Sequence, residues 1–258
     1  MIHNNNNKEY YKAIYFDTLE QCNRLNLNHV SSVKYNYDSK EFNDNKILAT
    51  ITTNTYRPLV LVDNIDSFDM AINMKSNNIM VLNLASFLSS GGGVTNGCKA
   101  QEEDLYRKSN YAFVNNNNFY PLAMNECVYS PLVYIIKDSN YNLLKTPIAV
   151  SCLAMAGIKN PQLKLTSNKT ITYNRSLDRE RMKQKIDMIF KVAIYCGHTD
   201  LVLGALGCGV YNNPIKEVAT MFKQSILKYG KYFKRIGFAI LCGDDDTNIR
   251  IFKRVLSN

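Results

Sequence analysis

Residues 79–103 read IMVLNLASFLSSGGGVTNGCKAQEE, and the order of residue types along this stretch dictates a local architecture. Ile79 to Leu84 is apolar and β-branched enough for a buried strand. Gly91, Gly92 and Gly93 follow. A run of three glycines loses backbone entropy on ordering and has no side chain to bury, so it is poor filler for helix or strand and signals a loop that something approaches closely. Seven residues later come Gln101, Glu102 and Glu103. The continuation, EEDLYRKSNYAF, is acidic first and basic later, as the helix dipole favours. The stretch therefore predicts strand, glycine loop, carboxylates and helix, in that order.

The same logic returns late in the chain. In LVLGALGCGVY, Leu201 to Tyr211, an apolar strand ends in Gly204, Gly207 and Gly209 before NNPIKEVATMF begins a helix, with Pro214 suited to its first turn. A glycine turn feeding a helix N-terminus presents unpaired N–H groups, a natural cradle for phosphate. The loop lacks the GK[ST] of a P-loop and the acidic partner of a dinucleotide fingerprint. A tight structural turn and a ligand loop both fit it in isolation. Two such loops at strand carboxyl ends would line one cleft from two sides, with Tyr211 offering a flat face to a sugar or a cover for the next helix.

From Pro58 onward, strand-like runs (LVLVD, IMVLNL, VYSPLVYII, PIAVSCLAMA, LVLGAL, RIGFAIL) alternate with helical periodicity at Ile65 to Met74, Glu103 to Val114, Leu177 to Cys196, Ile215 to Tyr229 and Thr247 to Leu256. That alternation predicts a three-layer α/β fold, a mixed, largely parallel sheet flanked by helices. Ahead of it, Tyr10 to Leu27 predicts a leading helix, and the polar segment from Asn26 to Asn54 carries short strand-like pieces at Val33 to Tyr37 and Ile47 to Ile51. Residues 1–55 are thus expected to form a helical and irregular extension packed on the core domain, residues 56–258. The Asn runs at 4–7 and 115–118 read as loops set by composition.

Composition narrows the function classes. Of 258 residues, 46% are hydrophobic and 21% charged, as in soluble globular proteins, and no apolar run approaches the roughly 20 residues that cross a bilayer. The opening MIHNNNNKEYYK lacks the apolar stretch of a secretion signal, so an intracellular location, cytoplasmic or nuclear, is expected. Seven scattered cysteines with no CxxC pair, and three histidines without metal-pair spacing, argue against disulfides or a metal centre. A monomer with no membrane partner is expected. The net charge of +9 draws the protein toward polyanions, although RERMKQK and KYFKR also suit ordinary solvated helix faces.

The spacing of GGG, seven residues and QEE is similar to the signature of poly(ADP-ribose) glycohydrolases, which are catalytic macrodomains, with the microbial-type branch closest. The resemblance continues through VLNLAS, VYSP and GALGCGVYNNP. It implies a macrodomain-like core and hydrolysis of ribose–ribose bonds in poly(ADP-ribose), with ADP-ribose as product and neither metal nor cofactor. It implies that Glu103 protonates the leaving oxygen and that Glu102 holds ribose hydroxyls. Asn83 and Asn96 would surround the distal ribose, and Gly91, Gly92 and Gly93 would run along that ribose and the diphosphate. Gly207, Cys208, Gly209 and Val210 would form the opposite wall, Tyr211 would pack near the scissile sugar, and Gln101 is counted with the substrate-binding positions.

The chemistry is sound on physical grounds alone. An oxocarbenium-like transition state needs an acid at the departing oxygen. Glutamates adjacent in sequence point apart and cannot flank one bond from both faces, so one acid and one positioner are expected rather than a nucleophile pair. Crowding and burial should raise one pKa, keeping Glu103 protonated near neutrality. An isolated EED would mean only a dipole-matched helix start; the glycine run ahead of it turns the reading toward a site. Three alternatives stay open: removal of single ADP-ribose units from protein or nucleic acid, a noncatalytic ADP-ribose reader, and a weak polyanion or nucleic-acid surface.

Overall fold

The computed structural model describes residues 2–43 and 56–257. The strand expected at Ile47 to Ile51 lies outside them. Seven strands form the main sheet: β1 (Val33–Asn36), β2 (Leu59–Asp63), β3 (Ile79–Leu84), β4 (Glu126–Lys137), β5 (Leu143–Met155), β8 (Asp200–Leu203) and β9 (Arg235–Ala239), in the order β1-β4-β5-β3-β8-β9-β2. Pairing is parallel from β5 through β3, β8 and β9 to β2, and antiparallel where β4 meets β5 and β1 meets β4. The result is the mixed, largely parallel α/β sheet that the sequence predicts. Because β3 sits between β5 and β8, the two glycine loops leave from neighbouring strands at the same end of the sheet.

Strand periodicity sorts the core into two layers. From β3, Met80 and Leu82 enter one apolar cluster while Ile79 and Val81 enter the other; β8 repeats this with Leu201 and Leu203 against Val202. The first layer holds α5 (Ser176–Tyr195), α6 (Ile215–Tyr229) and α7 (Thr247–Leu256). The second holds α2 (Ser67–Met74), α3 (Gln101–Lys108) and the short α4 (Tyr111–Val114). On the α2 side, Gly237 lets the helix close on β9, since a Cβ there would lie 2.5 Å from both Met70 Sδ and Met74 Cε.

Three local differences from the sequence expectation have physical causes. The helix predicted from Glu103 to Val114 is broken at Ser109 and Asn110, because the sheet edge claims that backbone: Asn110 N donates to Tyr134 O (3.1 Å) and Tyr134 N to the Asn110 side chain (2.8 Å). A small hairpin, β6 (Leu163–Leu165) with β7 (Ile171–Tyr173), is too short to register as a periodic pattern. The leading helix α1 runs Ile2–Leu25, beginning earlier than its apolar spacing.

Polar groups dock α1 on the layer of the core that holds α3 and α4. Thr18 is fully buried and donates to Arg107 O (2.6 Å), while the buried Lys137 ammonium reaches Asp17 (2.5 Å) and Thr18 Oγ1 (2.8 Å). Tyr11 lies under both Lys99 and Arg107, each 4.8 Å from its ring centre. At Gly97, φ is +71° and a side chain would collide with the Lys8 backbone, so glycine is required for this approach. Among the described residues, no helix is long and apolar enough to cross a membrane.

Candidate active site

The carboxyl end of β3 is tied to the start of α3 by one side chain. The Gln101 amide oxygen accepts from Leu84 N (2.8 Å), and its nitrogen donates to Leu82 O (2.8 Å) and Ser67 Oγ (3.0 Å). Gln101 therefore extends the sheet's hydrogen bonding and fixes the helix against the strand, so both ends of its amide have protein partners.

Glu102 is 2% exposed and receives three donors: Ser86 N (2.6 Å), the Asn83 amide (3.1 Å) and Gly91 N (3.2 Å). Burial pushes its carboxyl up to about 7, with the adjacent Glu103 adding to the rise, against the lowering effect of those three donors. None of the three is a cation. The upward shift expected of the crowded pair thus falls on Glu102. Its donors already engage both oxygens, so Glu102 also fixes the loop that precedes it.

Glu103 is arranged differently. It is 6% exposed, Oε1 accepts from Gly93 N (2.9 Å), and Oε2 has no hydrogen-bond partner. A buried carboxyl oxygen left open beside a loop is costly unless something else engages it. Glu103 has an oxygen to offer, and Glu102 does not.

The glycine run is explained by these same groups. Gly91 and Gly92 have φ of +77° and +55°. A Cβ on Gly91 would lie 2.8 Å from the Tyr106 ring; on Gly92, 2.6 Å from Glu103 Oε1 and 3.0 Å from Glu102 Oε2; on Gly93, 2.5 Å from Cys98 Sγ. What approaches this loop so closely is the protein's own α3 helix and its carboxylates. Gly91 N and Gly93 N, pointing at Glu102 and Glu103, make the loop the holder of the acids.

The second glycine loop stands next to the first. Phe87 N donates to the Tyr211 hydroxyl (3.3 Å) and the two rings meet edge to face at 6.4 Å, which joins the segment after β3 to the segment after β8. Gly207 has φ +71°, and Gly157, just beyond β5, is so close that its Cβ would lie 2.8 Å from Gly207 Cα. Behind them, buried Asn213 donates to Ile158 O (2.7 Å), Gly207 O (2.9 Å) and Tyr211 O (3.3 Å) and accepts from Tyr173 OH (2.9 Å). Gly209 borders open space and Val210 is 80% exposed, so the tip of this loop is free. Burial raises the Cys208 thiol, which contacts Leu206 O.

Of the residues singled out from the sequence, Asn83, Gly91, Gly92, Gly93, Gln101, Glu102 and Glu103 form one bonded cluster, and Gly207 and Tyr211 adjoin it. Asn96 lies exposed on the short turn Val94–Asn96, against α1. Sequence reading missed Ser86 and Gly93 as backbone donors to the carboxylates, a role that leaves no side-chain signature. It also passed over Gly157, although a glycine just after a buried strand was the available signal. Among the described residues, no group of three or more His, Cys, Asp or Glu side chains comes together to hold a metal ion.

Residues 18–138, which span the whole carboxylate cluster, match the family model described as microbial-type PARG, catalytic domain. The chain resembles microbial-type poly(ADP-ribose) glycohydrolases. Solved structures agree on the fold. The PARG of Deinococcus radiodurans in complex with ADP-ribose superposes with a TM-score of 0.74 at 23% identity, over 88% of this chain and 94% of that one. The PARG of Thermomonospora curvata bound to the inhibitor ADP-HPD gives 0.75 at 20% identity, over 95% and 99%. No curated protein matches the chain in sequence. The family model thus covers the β3 strand, the glycine loop and the QEE helix.

Proposed function

We propose that this protein is a poly(ADP-ribose) glycohydrolase that cleaves ribose–ribose bonds and releases ADP-ribose, with Glu103 as the general acid. The observation that carries the reading is the asymmetry of the two carboxyls: Glu102 engaged by three N–H donors, Glu103 held at Oε1 and buried without a hydrogen-bond partner at Oε2. In the proposed reaction the anomeric C–O bond breaks as the Glu103 carboxyl gives its proton to the departing ribose oxygen. Water then adds to the oxocarbenium-like centre and returns a proton to Glu103.

The same reading assigns the remaining roles. Glu102, Asn83 and Gln101 orient the acid and the glycine loop, while the Gly207 to Tyr211 loop faces the diphosphate from the other side. Support for a polyanionic substrate comes from the +9 net charge and from Lys159, whose ammonium lies 5.6 Å from the Phe87 ring centre at the junction of the loops. Glu103→Gln should lower turnover of poly(ADP-ribose) about a thousandfold and leave ADP-ribose affinity within a few-fold. Retention of comparable turnover in that variant removes Glu103 from the mechanism, and release of anything other than ADP-ribose from polymer by the wild type removes the activity.

A further inference from the structure

Behind the first glycine loop lies a cavity of about 450 Å3, lined by His29, Ser90, Phe113, Asn115, Asn116 and Asn117 together with Tyr106 and the segment from Val30 to Ser31. Its volume suits a nucleoside-sized guest. Among the described residues, the lining holds no carboxylate, lysine or arginine. A phosphate would find no lysine or arginine there, and a cation no carboxylate.

Two features define what it would take. His29 and Phe113 stack nearly parallel, 5.3 Å apart at 16°, and Phe113 remains 38% exposed, which presents a flat aromatic shelf. The Asn116 and Asn117 side-chain oxygens already accept from Asn118 N (2.9 Å) and Ser90 N (3.1 Å), so their NH2 groups are the polar ends left for a guest. A neutral, planar ring with acceptor nitrogens on its edge complements a stacking face flanked by amide donors. That chemistry is a purine base.

The cavity is also wired to the acids. Ser90 Oγ shares a hydrogen bond with Tyr106 OH (2.6 Å), the Tyr106 ring packs on Gly91, and Gly91 N holds Glu102. We propose that this cavity binds the adenosine moiety of a polymer unit adjacent to the one being cleaved, an inference that rests on the polymer-cleaving reading above. It makes neighbouring units part of substrate recognition and places one of them against the back of the catalytic loop.

The test is calorimetric. The wild-type protein is first saturated with ADP-ribose, which fills the cleft at the strand ends, and adenosine is then titrated in. The expected result is one further adenosine bound per protein, weakened about tenfold or more by Phe113→Ala and by His29→Ala, with ADP-ribose affinity unchanged and KM for polymer raised at constant kcat. Both side chains are exposed, so neither substitution threatens the fold. Absence of adenosine binding to the saturated wild type, or equal binding in both variants, overturns the proposal. Failure of ADP-ribose to bind in the first step is a separate result, which overturns the assignment of the cleft and with it the polymer as occupant.

Discussion

Two carboxylates in this molecule are each 2% exposed and sit at opposite ends of the parallel sheet, Asp200 at the amino end of β8 and Glu102 beyond the carboxyl end of β3. Burial would raise both. At Asp200, Arg235 Nε (2.5 Å), Ser76 Oγ (2.7 Å) and Thr199 Oγ1 (3.2 Å) more than offset burial, and the carboxyl titrates below its ordinary range. Glu102 receives as many donors, all of them neutral, and burial pushes its carboxyl up to about 7. The Arg235 guanidinium at Asp200, against deeper burial and a neighbouring carboxylate at Glu102, separates a structural ion pair from a carboxyl whose proton is held more tightly. Asp200 at the amino end is held toward its charged form, and Glu102 at the carboxyl end toward its neutral one.

The comparison predicts opposite pH dependences, and the larger effect belongs to Glu102. Its carboxyl moves from an ordinary 4.5 to about 7 on folding, so the folded state retains a proton that the unfolded chain releases. Stability from this group is full below pH 4.5 and is lost as pH rises through 7, by about 3 kcal/mol from the shift alone. Urea denaturation of wild type and Glu102→Gln at pH 4.5, 6 and 7.5 should show the stability difference changing by about that amount in favour of the variant. A difference that stays flat with pH would mean that Glu102 is not held protonated.

Asp200 reverses the sign. Its contribution is present above the unfolded carboxylate range and lost only as pH falls through it. Asp200→Asn should therefore lower stability at pH 7 by about 2 kcal/mol, because Arg235 keeps its charge with a weaker partner in a part-buried site. Turnover per folded molecule should be unchanged, since the altered site lies at the far end of the sheet. A loss of kcat at constant stability would break the division of labour between the two ends.

How much of this was legible in the sequence differs between the same two ends. The β3 and β8 strands, the glycine loops and the QEE helix could be read because each carries a local signature: a period, a φ requirement, a dipole-matched charge order. The Asn115 to Asn118 run could not. Read as composition, it instead braces the site, with the Asn115 amide on Tyr106 OH (2.7 Å) and Tyr120 OH (3.1 Å) and Asn117 on Ser90 N. Asp200 and Arg235 are separated by 35 positions and meet only because β8 and β9 pair side by side, a contact no periodicity announces. The meaning of the triple glycine was half legible: the close approach was foreseeable, but its partner, α3 rather than a ligand, required the fold.

The smallest predicted effect tests whether the two glycine loops act together. The Tyr211 hydroxyl accepts from Phe87 N at 3.3 Å, a long bond between half-buried groups, and is the link that joins the loop after β8 to the loop after β3. Tyr211→Phe keeps the ring and its edge contact with Phe87 while removing that acceptor. Phe87 N can then turn to water, so the loss in stability should stay below about 1 kcal/mol. If the bond sets the spacing between the loops, kcat/KM for polymer should fall a few-fold more than that stability change accounts for, since misplacement of a bound group raises the barrier without unfolding the protein. Unchanged kcat/KM would show that ring packing and the Gly157 to Gly207 contact suffice to set the cleft, and would leave the hydroxyl a structural cap on one N–H.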